Sequence, residues 1–404
     1  MENPEQKQGQ TKNIGGAEKQ ERIIFAETVK KSILDTFPFD TKEQKGNFSA
    51  KFEPIIKNHD ELTDIELIRN IRLVLASLEN THTKLEEKGS IKYYLEVPIF
   101  YKAHKYWVED NSLILEVVSM DGIAIDDLME EKMQESGGGT ADYKIIRALR
   151  SLMCSQVPRS ATLGVKKDGE VSVFEVPFVF KKESAVPAIS RRVVRGKMLD
   201  QQTGYLQIKS WSGNVHFDGK NVADLVEEGL VPLMAAKFLI LDVRENGGGD
   251  SPLAEKLAGH FIKKKTHYGT VLKRRVQTDE LVRSELELKP QGIFLDKKVV
   301  VLTGPKCLSS NEMFVMMMKD TGVAETIGQA TGGGSGNPKS FEISLRGKTY
   351  TLKVSSWKMI RKNGSNLEGI GIEPDVSVVT TSEDVLHHRD VELETAKEYL
   401  RRDV

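Results

Sequence analysis

The sequence predicts a layered α/β domain that follows a helical region and a small α+β module. Three observations predict this order of segments. Apolar residues recur at helical spacing before about residue 85, short β-rich segments follow, and strand and helix patterns alternate from about residue 190 onward. We therefore expect a disordered leader over residues 1–20, a helical region over 21–90, the α+β module over 95–185 and the layered domain over 190–404.

The composition is that of a globular chain. Of 404 residues, 39% are hydrophobic and 29% are charged, and 58 basic residues nearly cancel 59 acidic ones. The net charge of −1 gives no overall electrostatic signature for nucleic acid or an anionic membrane. No apolar segment reaches about 18 residues, so we expect no membrane insertion. Two cysteines, Cys154 and Cys307, favour reduced thiols over a disulfide framework.

The first twenty residues are polar and lack the apolar segment of a signal peptide. Together with the cysteines, they predict a cytoplasmic location. An exported protein stays the alternative if Met1 was added to a trimmed chain.

Two amphipathic helices are predicted in the helical region. The first carries Ala26, Val29, Ile33 and Phe37 at helical spacing and ends at Pro38. The second begins with a capping box formed by Thr63 and Glu66. Its apolar stripe is Ile65, Ile68, Ile71, Leu75 and Leu78. His82 follows the end of this helix, where a side chain can point into a cleft.

The α+β module combines short strands with one clear helix. Asp168-Gly169 between two β-rich segments predicts a hairpin, and Asp142–Leu152 predicts a helix. The glycine-rich residues 136–140 predict a flexible loop, and residues 181–187 a linker.

The layered domain is predicted from buried strands that alternate with helices. The strands are Gly204–Ile208, Phe238–Val243 and Val299–Leu302; the helices are Asn221–Leu230, one capped by Ser251 with Pro252 at its first position, Asn311–Lys319 and Asp390–Leu400; a hairpin covers Ser340–Val354. The segment Thr266–Pro290 is interpreted as either a lid or an insertion.

Ser309 lies between a buried strand and the start of a helix. A nucleophile there would be held rigidly, and the first N–H groups of the helix favour negative charge. The alternative is structural, because Ser309 and Glu312 have the spacing of a capping box. If Ser309 is the nucleophile, Ser310 would take over the capping role.

Two glycine runs stand next to predicted strands. Asn246–Asp250 allows backbone N–H groups to approach a ligand closely, and its spacing does not fit a nucleotide-phosphate loop. Residues 331–338 lead into a strand, and a plain flexible loop is the alternative there. His82 by itself is typical of a surface or capping residue, Glu368 of a solvated carboxylate, and no histidine cluster has metal-ligand spacing.

Taken together, these segments resemble the C-terminal-processing (tail-specific) serine peptidases, in the branch similar to the tricorn catalytic core. The residues that carry the resemblance are Gly204–Ile208, Leu239–Gly249, Ser309–Glu312, Ile327-Gly328 before Thr331–Gly333, and Gly369–Asp375. The resemblance implies a crotonase/Clp-protease-like layered catalytic domain over 190–404 and a diverged PDZ-like module before it. It also implies a peptide or protein substrate, no nucleic acid, and no metal or cofactor, and it is compatible with an oligomer.

The resemblance implies a catalytic set of Ser309 as nucleophile, His82 as general base and Glu368 as the group that orients the imidazole. The catalytic lysine of the processing branch is absent, because its position here is Gly334, and the nearest lysine is Lys339. The backbone N–H groups of Ser310 and of Gly248 or Gly249 would stabilise the oxyanion. The rival interpretations are a catalytically inactive peptide- or ligand-binding protein on the same fold and a crotonase-like acyl-CoA enzyme.

Overall fold

The computed structural model describes residues 4–180, 193–275 and 280–402, with side chains from Glu18 onward. The helices are α1 Pro4–Thr36, α2 Lys42–Ala50, α3 Glu53–Lys57, α4 Asp64–Ala76, α5 Ile125–Gln134, α6 Ala141–Leu152, α7 Val222–Leu230, α8 Ser251–Gly259, α9 Ser310–Lys319, α10 Ser382–Leu386 and α11 Val391–Arg401. The predicted class, a mixed α/β chain with several domains, is confirmed.

The strands alternate with these helices along the chain. They are β1 Lys84–Glu87, β2 Tyr93–Leu95, β3 Ile99–Lys102, β4 Lys105–Asp110, β5 Leu113–Met120, β6 Ile123–Ala124, β7 Cys154–Ser155, β8 Ser160–Lys167, β9 Glu170–Phe180, β10 Val194–Met198, β11 Thr203–Ile208, β12 His216–Phe217, β13 Lys220–Asn221, β14 Phe238–Asp242, β15 Thr266–Arg275, β16 Glu280–Leu288, β17 Lys298–Thr303, β18 Ala324–Gly328, β19 Lys339–Leu345, β20 Lys348–Val354, β21 Trp357–Arg361 and β22 Val376–Ser377.

The chain divides into two compact units. The N-terminal unit comprises Met1–Ser90, Leu272–Arg283 and Gly336–Lys358, and the main unit comprises the remaining segments. The predicted boundaries differ from this division, because residues 190–404 were expected to form one domain. The reason is strand pairing. Hairpin β19–β20 joins β1 in an antiparallel sheet of order β1-β20-β19, with Leu85 opposite Leu352.

The core of the N-terminal unit lies between this sheet and helices α1 to α4. The predicted stripe of α1 is buried, and the helix ends at Thr36 ahead of Pro38. Helix α1 begins at Pro4, so residues 4–20 are helical and do not form the predicted disordered leader. The capping box of α4 is confirmed, with the Thr63 N–H donating to Glu66 at 2.8 Å. Ile65 lies to one side of the α4 stripe and is 82% exposed, contrary to the prediction.

The main unit contains a six-stranded sheet of order β10-β11-β14-β17-β18-β22, parallel from β11 onward. Strands β14 and β17 are buried along nearly their whole length, as their apolar sequences predict. Helix α11 covers part of the sheet through Ala396 and Leu400. Because β14 and β17 are parallel, the segments after them emerge at the same edge of the sheet. That edge carries the Asn246–Asp250 turn and Ser309.

The α+β module forms a second sheet of the main unit, of order β3-β4-β5-β8-β9-β2-β7 with β6 beside β5. The predicted hairpin is confirmed, because Asp168 and Gly169 both have positive φ between β8 and β9. Residues 136–140 were predicted to be flexible. Instead Ser136 to Gly139 are buried, and the Thr140 N–H donates to Gly332 O at 2.9 Å. The predicted linker over 181–187 lies outside the described residues.

Most other predicted elements occur within one or two residues of their expected bounds. The cap of α8 differs: Asp250 is the N-cap residue, and Ser251 is the first helical residue. Thr266–Pro290 contains the two strands β15 and β16. In the part of the chain that the structure describes, no helix is long and apolar enough to cross a membrane.

A largely buried arginine holds helix α11 against the end of strand β14. The Arg244 guanidinium donates to Asp242, Asp390 and Glu392, and its side chain is 16% exposed. Burial by itself raises the pKa of Asp242, but the hydrogen bonds and charge of Arg244 outweigh burial and lower that pKa. Arg244 therefore neutralises carboxylates that would otherwise be buried without a counter-charge.

We expect Arg244→Met to lower the free energy of unfolding by roughly 3–5 kcal/mol, because it leaves buried carboxylates unpaired. Arg401→Met is the matched control, since the Arg401–Asp200 pair is exposed and worth at most ~1 kcal/mol. Urea denaturation followed by circular dichroism measures both. Equal losses for the two variants would show that the Arg244 network does not stabilise the fold.

Candidate active site

Ser309 occupies a strained turn between β17 and α9. Its backbone has φ 60° and ψ −127°, a left-handed conformation that costs a residue with a side chain of order 1–3 kcal/mol. The residues on both sides of it, Leu308 and Ser310, are buried, whereas Ser309 is half-buried. Its N–H donates to Gly334 O at 2.8 Å. The turn thus presents the hydroxyl at the surface of a rigid segment.

A buried carboxyl group beneath this turn organises the surrounding backbone. Glu312 is fully buried in α9. It accepts hydrogen bonds from the N–H groups of Gly333 at 2.9 Å and Gly334 at 2.7 Å, from the Thr331 hydroxyl, and from the Ser309 N–H at 3.3 Å. Burial raises the pKa of Glu312 to about 8, although the bonds from Thr331, Gly334 and Gly333 act in the opposite direction.

The capping-box alternative for Ser309 is supported by one hydrogen bond: the backbone N–H of Ser309 donates to the Glu312 carboxyl group. The suggestion that Ser310 takes over the capping role is wrong. The Ser310 hydroxyl instead donates to Gly249 O at 2.8 Å and so ties the start of α9 to the glycine turn.

The glycine turn after β14 packs directly against Ser309. Gly248 has φ 102°, and a Cβ on it would lie 2.9 Å from Ser309 Cβ, so a residue with a side chain does not fit there. The Gly248 N–H donates to Asn246 Oδ1 at 2.9 Å. Of the predicted oxyanion donors, Gly248 is therefore engaged in this conformation. Among the described hydrogen bonds, the N–H groups of Ser310 and Gly249 have no acceptor.

The second glycine run is buried over residues 331–336, contrary to a plain flexible loop. We call Thr331–Ser335 the glycine strap. It is bonded on two sides, because Gly332 N–H donates to Cys307 O at 2.8 Å and Gly369 N–H donates to Gly333 O at 2.9 Å. The Ser335 N–H donates to Glu368 at 2.9 Å. Ser309 and Glu368 are thus bonded to successive residues of one backbone segment, Gly334 and Ser335.

Gly334 is the residue that the resemblance places at the lysine position of the processing branch. Its N–H is held by Glu312 and its carbonyl oxygen by Ser309, so the position has a structural role here. Lys339 is exposed at the start of β19 in the N-terminal unit.

His82 lies in the N-terminal unit, between α4 and β1, in a segment held by side-chain hydrogen bonds. Asn80 Oδ1 accepts from the His82 N–H at 3.1 Å and from the Thr83 hydroxyl at 2.8 Å. Thr81 Oγ1 is 2.8 Å from His82 Nδ1. Gly336 packs beside the histidine, since a Cβ on Gly336 would lie 3.2 Å from His82 Cβ. In the sequence, Gly336 directly follows Ser335.

Two of these groups were not predicted from the sequence. Thr81 was not considered, although its position immediately before a histidine could have indicated it. Glu312 was considered only as a capping residue, because a sequence does not show that a carboxyl group is completely buried. Among the described residues, no cluster of three or more histidine, cysteine or acidic side chains could hold a metal ion.

Comparisons with known sequences relate part of the chain to a peptidase family. The model of peptidase family S41 matches residues 202–378. A probable CtpA-like serine protease of Staphylococcus epidermidis is 32% identical over 144 residues, which are 36% of this chain and 28% of that protein. A protein of the same description from Staphylococcus aureus is 30% identical over 146 residues. The matched segment thus spans little more than a quarter of these relatives.

Solved structures share the fold over nearly the whole chain. Mature CPAF complexed with lactacystin has a TM-score of 0.79 at 14% identity, covering 95% of this chain and 98% of that one. The photosystem II D1 C-terminal processing protease has a TM-score of 0.54 at 15% identity, covering 95% and 98%. These likenesses confirm the predicted layered fold.

We expect Glu312→Gln to lower the free energy of unfolding by about 1–3 kcal/mol, because an amide NH₂ would face backbone N–H donors. Glu325→Gln, at an exposed position of β18, is the control and should change little.

The penalty of Glu312→Gln should shrink between pH 5 and pH 8. The folded pKa of Glu312 lies above its ordinary value, so the wild type loses stability as the pH rises toward about 8, and the glutamine variant lacks this loss. Urea denaturation at several pH values measures the difference. A penalty that grows with pH would show that the folded chain favours the ionised carboxylate.

Proposed function

We propose that this chain, whose residues 202–378 belong to peptidase family S41, is a serine endopeptidase or processing peptidase. Ser309 is the nucleophile, His82 the general base and Glu368 the orienting carboxylate. The family of the main unit and the strained turn at Ser309 support the reaction class. The strained turn carries the proposal, because residues held by their surroundings in such conformations cluster at active sites.

The chemistry follows from the acidity of each group. A serine hydroxyl attacks a peptide carbonyl only when a base takes its proton, and histidine has a pKa near neutral pH. Thr81 Oγ1 lies at hydrogen-bond distance from His82 Nδ1, and in the proposed mechanism Nε2 accepts the serine proton. Glu368, directly or through an intervening polar group, would fix the imidazole tautomer and help to stabilise the imidazolium.

Backbone continuity supports the grouping of these residues from two units. Gly334 is bonded to Ser309, and Ser335 to Glu368, within the main unit. The next residue, Gly336, packs beside His82 within the N-terminal unit. Three consecutive residues therefore each contact one member of the proposed catalytic set.

The oxyanion would be bound by the Ser310 N–H and by one N–H of the glycine turn. Each donor of this kind is worth roughly 3–4 kcal/mol of the barrier. Gly249 is the available glycine donor, and Gly248 becomes one only when its bond to Asn246 opens.

The substrate is proposed to be a peptide or protein. The relatives are described as serine proteases, which act on substrates of this class. The β module, interpreted as a diverged PDZ-like domain, would add an extended peptide to a sheet edge. A cytoplasmic location, an oligomeric state and the absence of a nucleic-acid partner stay predictions from the sequence.

Ser309→Ala is expected to abolish hydrolysis of labelled casein while the melting temperature stays within a few degrees of the wild type. Ser344→Ala, at an exposed position of β19, is the matched control and should retain full activity. A fluorophosphonate probe should add one label to the wild type, at Ser309. Absence of any adduct on the folded wild type would instead favour the inactive binding protein.

His82→Ala is expected to reduce kcat by roughly 10²–10⁴-fold, the usual contribution of a general base. Lys339→Ala should leave kcat unchanged, because an exposed lysine on β19 has no role in the proposed mechanism. Steady-state hydrolysis of a quenched peptide measures both. The opposite pattern, with loss of activity at Lys339 alone, would indicate a Ser–Lys enzyme.

A further inference from the structure

A group of exposed apolar side chains lies at the edge of the main sheet opposite Ser309. Ile293 is 72% exposed, Val231 69%, Met234 49% and Phe294 37%. They belong to the segments that directly precede β14 and β17, whereas Ser309 follows β17. Strand β17 has six residues and separates the two edges by roughly 20 Å.

The loop that carries Ile293 and Phe294 is held by backbone hydrogen bonds, and its tip remains exposed. Its Leu295 N–H donates to His260 O at 2.7 Å, and His260 Nδ1 lies 2.9 Å from Ile293 O. Gly292 has φ 54°, and a Cβ on it would lie 2.5 Å from the His260 ring. The backbone of this loop is therefore hydrogen-bonded to residues at the end of α8. Its two apolar side chains remain exposed to solvent.

A lysine joins this loop to the second apolar segment. Lys297 Nζ donates to the backbone oxygens of Met234 and Ala236. The two apolar segments consequently lie side by side and form one surface. We call residues 231–237, 259–265 and 289–298 together the basic apolar patch.

The patch is strongly basic. Its three segments contain seven lysines and one acidic residue, Asp296. The exposed lysines without an ion pair among the described residues are Lys237, Lys263, Lys264 and Lys289. The Lys263 ammonium lies 4.6 Å from the centre of the Phe294 ring, so positive charge surrounds the apolar tip directly. Lys265 is neutralised by Glu287.

We propose that the basic apolar patch binds the surface of an anionic phospholipid bilayer. Protruding apolar side chains enter the boundary between headgroups and acyl chains, and the surrounding lysines attract anionic headgroups. Binding to a fluid bilayer does not require shape complementarity, so single side chains that protrude from a loop can insert into it. The net charge of −1 averages over the whole chain and does not exclude this local cluster. The proposal goes beyond the peptidase function and is independent of it.

Sedimentation of the full-length chain with vesicles tests the proposal. Binding to vesicles of phosphatidylcholine with 30% phosphatidylserine is expected, with at least tenfold weaker binding to pure phosphatidylcholine. Because exposed charges are screened by salt, 0.5 M NaCl should weaken binding severalfold. The double variant Ile293→Ser/Phe294→Ser and the double variant Lys263→Gln/Lys264→Gln should each lose tenfold or more.

The double variant Val171→Ser/Val173→Ser is the matched control. These valines are 61% and 64% exposed on β9, away from the patch, and their loss should leave vesicle binding unchanged. Hydrolysis of a soluble peptide should be equal in all variants. Absence of binding to the anionic vesicles, or equal binding by all variants, overturns the proposal. Self-association in sedimentation velocity that disappears with Ile293→Ser/Phe294→Ser, without vesicle binding, would assign the patch to a second copy of the chain.

Discussion

The arrangement around Ser309 depends on one buried carboxyl group. Glu312 receives hydrogen bonds from the turn that carries Ser309 and from Thr331, Gly333 and Gly334 of the glycine strap. A backbone in a left-handed conformation relaxes unless several contacts prevent it, and Glu312 supplies them from a fixed place on α9. Ser309 is therefore rigid because of a residue one helical turn away that has no part in the proposed chemistry.

The strap extends this constraint to the rest of the proposed site. Its residues hold Glu368 through Ser335, and Thr140 of the α+β module reaches it through a bond to Gly332. The chain then returns to the N-terminal unit at Gly336. In the proposed function, the base and the nucleophile belong to different compact units of the chain.

Charge acts locally in this protein. Arg244 offsets three carboxylates inside the main unit, and the basic apolar patch gathers lysines at one edge of a nearly neutral chain. The net charge of the whole chain therefore does not indicate the local charge at the Arg244 network or at the basic apolar patch. Both depend on tertiary structure, because the residues involved are separated by as many as 148 positions in the sequence.

The sequence by itself determined the local elements and the likeness to a peptidase family. Apolar periodicity predicted the buried strands β14 and β17 and helix α4, and turn chemistry predicted the Asp168-Gly169 hairpin, because these features depend on neighbours a few residues away. The proposed roles of Ser309, His82 and Glu368 came from the resemblance to the processing peptidases. Only the tertiary structure decided that hairpin β19–β20 belongs with the N-terminal helices and that residues 136–139 and 331–336 are buried. It also decided that Glu312 is the common acceptor of the hydrogen bonds around Ser309. Strand partners, burial and the direction of a side chain arise from contacts between distant segments, and these contacts leave no periodic signal in the sequence.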